Sequence, residues 1–200
     1  MSEGNRRHHR PMLPGDRTIE AASGSVDPAE LAEAADRAAT LLVRGARDSH
    51  DGAIADRLLH LADTEGIETI AEVWSSAPGD SLAGCLWRLY LLRSWVYADP
   101  SGVARQFEAG RAQAPVARVV AGVADPPGPE ELKAMIDQVL RGIAEGEFAD
   151  VLLRAAAFAR VVATGRAADP AVGQDQVTRM LTLAEQLETS GHAELRHGLA

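Results

Sequence analysis

"SLAGCLWRLYLLRSWVYA", residues 81–98, is the densest apolar stretch of the chain. It carries both tyrosines, two of the three tryptophans and the single cysteine. It has no acid, yet Arg88 and Arg93 lie inside it. Wound as an α-helix at about 100° per residue, Leu86, Leu89, Leu92 and Val96 share one face while Trp87, Leu91 and Trp95 cover others. A helix apolar on nearly every side is one surrounded by other helices, so residues 81–98 are predicted to be the central element of a bundle. Arg88 and Arg93 are five positions apart and project about 140° from each other, too far to grip one anion together. Each is expected to run its stem along the core and meet an acid from a neighbour, with Glu65, Glu68, Glu72 and Asp125 as candidates. The functional alternative is a pocket beside this helix, lined by Trp74, Trp87, Tyr90 and Trp95, in which Arg88 or Arg93 orients an anion.

The segments on either side read as helices joined by Gly and Pro. Residues 1–25 are polar, rich in Gly, Pro and Arg, and without period, which predicts a disordered tail. Asp27, Pro28 and Glu30 then give a first helix its cap, its N1 proline and its acidic first turn. Asp51 to Gly66 reads as a second helix and Ile67 to Ala77 as a third, stopped by Pro78. Asp80 and Ser81 cap the fourth, the quoted segment, and Asp99–Pro100 opens a fifth. Residues 115–123 read as a short sixth. "ADPPGPEE", residues 124–131, interrupts everything, and its joint at 124–129 divides the chain into two helical halves. A helix with Leu132, Met135, Ile136, Val139 and Ile143 inward follows, and then one with Phe148, Val151, Leu152, Ala155, Phe158, Ala159 and Val162 inward. Asp169–Pro170 opens a ninth with Val177, Met180, Ala184 and Leu187 inward, and "HAELRHG" closes the chain. No segment alternates with period two. The expected fold is all-α, a single domain over residues 26–200 with eight or nine helices around the central one.

Composition narrows function mainly by exclusion. The chain has 200 residues and a net charge of −9, and a body of that sign repels phosphate backbones, so no nucleic-acid partner is expected. One cysteine makes no internal disulfide, which fits a reducing cytoplasm. The N-terminal residues have positive charge but no apolar core of a signal peptide, and two arginines inside residues 81–98 argue against a membrane span. There is no phosphate loop, no GxSxG elbow and no HExxH pair, and Cys85 sits where thiols are usually inert. The one Glu-x-x-His match, Glu194 to His197, lies at the C-terminus, so no metal or other cofactor is expected. Residues 58–90 have the helix–turn–helix rhythm of a TetR-type head, but their second helix offers leucine and tryptophan where base edges require polar groups.

At "SLAGCLWRLYLLRSW" (81–95), "AGVADPPGPEE" (121–131) and "RAAAFARVVATGRA" (154–167), the chain resembles a family of short all-helical proteins from high-GC actinobacteria. The resemblance runs over roughly residues 28–190. Members are often labelled a DNA-directed RNA polymerase beta subunit, although 200 residues without a basic channel do not make one. The resemblance implies a helical protein and no catalytic residues. Two functional expectations result. The first is a non-enzymatic regulatory or interaction module that binds a protein partner or another copy of itself. The second is a binder or sensor of an anionic metabolite at the pocket beside residues 81–98.

Overall fold

A computed structural model of the chain describes residues 28–45, 60, 71, 73–114, 128–145 and 147–199. Six α-helices lie in them: α1 (Pro28–Thr40), α2 (Leu82–Ala98), α3 (Pro100–Arg111), α4 (Pro129–Glu145), α5 (Phe148–Ala167) and α6 (Gln174–His197). A π-helical turn, Leu41–Gly45, continues α1. No strand occurs among the described residues, and the all-α class stands. The expected tail, the expected sixth helix, the expected second helix apart from His60 and most of the joint at 124–129 lie outside the described residues; of the expected third helix, residues 71, 73 and 74 are helical and 75–77 form a turn.

Local chemistry sets the boundaries. The Ser81 hydroxyl accepts from the backbone N–H of Gly84 at 3.1 Å and starts α2. Asp99 does the same for Gly102 at 2.9 Å, with Pro100 at N1 of α3. Asp169–Pro170 behaves otherwise. The Asp169 carboxylate accepts from the N–H of Ala171 at 2.9 Å, and its carbonyl accepts from Val172 at 3.1 Å. That closes a local turn, so the last helix begins only at Gln174. It then runs unbroken through "HAELRH", with Gly191 inside it facing the protein, where its missing side chain accommodates Leu153.

The inward stripes read from the sequence are largely the buried ones: Leu132, Ile136, Val139 and Ile143 on α4, where Met135 is only partly buried, and Val177, Met180, Ala184 and Leu187 on α6. α5 is covered more widely than its expected stripe, since Ala156, Ala157, Val161 and Ala163 are buried as well. α2 touches every other described helix, as a central element should. It is nevertheless not enclosed all round: Leu91 is 40% exposed, and Trp87 and Trp95, one turn to either side of it, are only partly buried.

Two glycines fix how α3 and α5 cross. A methyl group on Gly165 would lie 1.7 Å from the carbonyl oxygen of Gln106, and one on Gly110 would lie 1.9 Å from that of Val161. The backbones are in direct contact there, which only glycine permits. Phe107 and Phe158 stack beside the crossing with centroids 5.7 Å apart. The two ends of the described chain are joined by Arg44, which grips the Glu194 carboxylate with both Nη atoms and donates to the carbonyl of Leu199 at 3.1 Å.

Gly165→Ala is expected to lower unfolding free energy by about 3 kcal/mol, the range for overpacking a closed interface. Gly45→Ala, whose methyl would meet nothing within 4 Å, should leave stability nearly unchanged. Urea denaturation of both variants checks the pair, and equal midpoints would disprove the backbone contact.

Candidate functional site

The two arginines of α2 have different fates. Arg93 is 6% exposed. Its Nε donates to Asp137 Oδ1 on α4 at 2.8 Å, and the Tyr97 hydroxyl donates to Oδ2 of the same carboxylate at 2.6 Å. The guanidinium also lies 4.1 Å from the centre of the Tyr97 ring. Acid, phenol and ring together neutralise the charge from within the fold. The partner is none of the four acids expected, all of which lie outside the described residues. Arg88 ends on neutral acceptors: Nε donates to Gln186 Oε1 and Nη1 to the Gly84 carbonyl, both at 2.7 Å. No carboxylate pairs with it among the described residues.

The aromatic residues expected to line a pocket divide in the same way. Trp74 is buried, its indole N–H donates to the Ala35 carbonyl at 3.2 Å, and its ring stacks on Tyr90 at 6.1 Å. Tyr90 is buried too, and that burial pushes its phenol well above the usual range. Trp87 packs against the core. Trp95, by contrast, borders an open hollow.

That hollow is a groove of about 380 Å³ between α2 and α6. Leu91, Leu92 and Trp95 form one wall, and Met180 and Leu183 the other. Arg166, from the last turn of α5, closes one end beside Gln176 and Arg179. The Arg166 guanidinium lies 5.0 Å from the centre of the Trp95 ring, and Nη2 donates to Gln176 Oε1 at 3.1 Å. Its Nε–H is buried without an acceptor, and no carboxylate pairs with the residue among the described residues. Burial lowers its pKa below the ordinary arginine value, although a guanidinium keeps its proton under any physiological condition. The other cation at the groove, Arg179, is already paired with Asp175 one turn earlier on α6. The groove is therefore apolar along its length and carries at its head one positive charge that no described residue compensates.

Two further hollows, of about 360 and 310 Å³, lie at α3–α5 and between Gly79–Asp80 and α6 near Ser190, and neither presents an aromatic side chain. Among the described residues no group of three or more His, Cys, Asp or Glu is gathered as metal ligands. Glu194, half of the Glu-x-x-His match, is committed to Arg44. Cys85 is buried, and desolvation raises its thiol to about 11, against smaller opposing effects of Ser190 and Arg88. No described helix is long and apolar enough to cross a membrane.

Sequence reasoning reached Trp95 and missed Arg166, Gln176, Met180 and Leu183. An arginine in the last turn of a helix reads as a partner of the helix dipole, and nothing local reveals that a tryptophan 71 positions earlier lies beneath it. No protein-family model matches the chain, and neither curated proteins nor solved structures give a significant match.

Asp137→Asn is expected to destabilise by about 2–3 kcal/mol, because it leaves Arg93 buried beside a neutral group. Arg88→Gln should change stability by less than about 1 kcal/mol, as a partly exposed hydrogen-bonded site does. Thermal unfolding of both variants measures the contrast, and equal effects would refute the division of roles. For Cys85, about one thiol in a thousand is ionised at pH 8 when the pKa is about 11. A thiol-reactive dye should therefore react only as fast as the protein opens; rapid labelling of the folded chain would contradict the burial.

Proposed function

We propose that the protein is a non-enzymatic binding protein of the cytoplasm, and that the groove between α2 and α6 takes a small, anionic and largely apolar ligand. The observation that carries this reading is Arg166, a half-buried cation without a carboxylate among the described residues, set at the head of an apolar groove beside Trp95. Arg93 and Arg44, also removed from water, have full acid partners. A volume of about 380 Å³ falls within the range of small-molecule sites. The groove holds no nucleophile beside a base, which supports binding over catalysis. A ligand seated there touches α2, α5 and α6 at once and stabilises their packing by mass action. That is the physical basis for a sensor, whose bound and unbound states differ in the order of these helices.

A second reading, a protein partner or a second copy of the chain, is favoured by one observation. Trp87, Leu91 and Trp95 form a continuous apolar strip along α2, and Leu91 is 40% exposed. Size-exclusion chromatography with light scattering tests self-association. A dimer broken by Leu91→Asp favours this reading, and a monomer removes the second copy.

For the ligand reading, 8-anilinonaphthalene-1-sulfonate, an apolar anion with its own fluorescence, serves as probe. It should bind the folded chain saturably and one-to-one, and Leu91→Asp should weaken it at least about tenfold, or about 1.4 kcal/mol. Absence of binding to the folded protein, or binding unaffected by Leu91→Asp, would overturn the reading.

A further inference from the structure

The chemistry of the groove defines its ligand more narrowly, given that it is a binding site at all. We infer that it is built for a monocarboxylate with an extended apolar body, its carboxylate on the Nη donors of Arg166 and its body between Trp95 and the Met180–Leu183 wall. Three observations converge on this class.

The first is charge. Arg166 and Arg179 contribute two positive charges at the groove, and Asp175 cancels that of Arg179. One negative charge completes the site. A dianionic phosphate would bring a second into a chain of net charge −9, where nothing at the groove receives it.

The second is donor geometry. Trp95 lies against the guanidinium, Gln176 Oε1 accepts from Nη2, and Nε is covered. The donors left to an incoming group are those of the Nη atoms. A planar carboxylate matches that planar edge with its two oxygens. With Nε lacking any acceptor, the anion supplies the charge compensation that the described residues omit.

The third is the body. Beyond Arg166, Leu91, Leu92, Trp95, Met180 and Leu183 offer almost no hydrogen-bonding group. A sugar or peptide backbone would lose its water there without replacement. An alkyl or aryl chain loses nothing, and the Met180 side chain adapts to its shape.

Isothermal titration of the full chain at pH 7 and low salt with octanoate, 1-octanol and octyl phosphate tests the inference. The indole N–H resonance of Trp95, assigned with Trp95→Phe, reports the location. Octanoate should bind one-to-one and shift the Trp95 signal while leaving that of Trp74 in place. Octanol should bind at least tenfold more weakly, and octyl phosphate also more weakly than octanoate. Arg166→Gln should reduce octanoate to the level of octanol without changing octanol itself, and Arg166→Lys should restore part of the difference. If octanol equals octanoate, or octyl phosphate binds best, the carboxylate assignment fails while the groove remains a binding site. If none of the three binds or moves the Trp95 signal, the inference and the binding reading fail together. The ligand series on the unaltered chain decides the matter even where Arg166→Gln does not fold.

Discussion

A guanidinium cannot shed its proton, so every arginine drawn into a helix interface must be neutralised where it lies or left as an unanswered charge. This constraint orders the molecule. Arg93 answers it across α2 and α4, where Asp137, itself held by the Tyr97 hydroxyl, compensates the charge and fixes how the two helices face each other. Arg44 answers it across the ends of the fold: Glu194 takes both Nη atoms and also accepts from the backbone of Leu199 at 2.6 Å. Burial and the Glu194 hydrogen bond act in opposite directions on Arg44, and the hydrogen bond dominates, so its pKa rises. At Arg166 burial acts without such a partner and the pKa falls. Two arginines of similar burial thus differ in whether a described residue supplies the anion.

The helices were legible because their signals are local. Asp99 with Pro100, Ser81 before Leu82, and the 3.6-residue stripes of α4 and α6 are each contained in about one to four turns of sequence. Asp169–Pro170 carries the same signal as Asp99–Pro100 and misled for a local reason. The Asp99 carboxylate reaches the N–H three positions on and opens a helix, whereas that of Asp169 reaches only two positions on and closes a turn.

The site was less legible because it is assembled from α2, the end of α5 and the start of α6. The apolar strip of Trp87, Leu91 and Trp95 is plain in the sequence, but a helical projection alone does not say which apolar face goes uncovered. The α3–α5 crossing decides part of that. Gly110 and Gly165 bring those backbones into contact, and Gly165 directly precedes Arg166, so the close approach and the position of the cation are set by adjacent residues. Neither glycine differs in sequence from one that merely ends a helix.

An acidic body with a small cationic pocket has a further consequence. Long-range repulsion from a net charge of −9 slows the approach of any anion and excludes multiply charged ones most strongly. At contact, the local field of Arg166 takes over within a Debye length of about 8 Å at physiological salt. Raising ionic strength screens the distant repulsion more than the short contact inside the groove. Recognition of a singly charged, largely apolar molecule is therefore the case in which the far field hinders least and apolar burial contributes most. The sign of the whole surface and the chemistry of this one groove both favour the proposed kind of ligand.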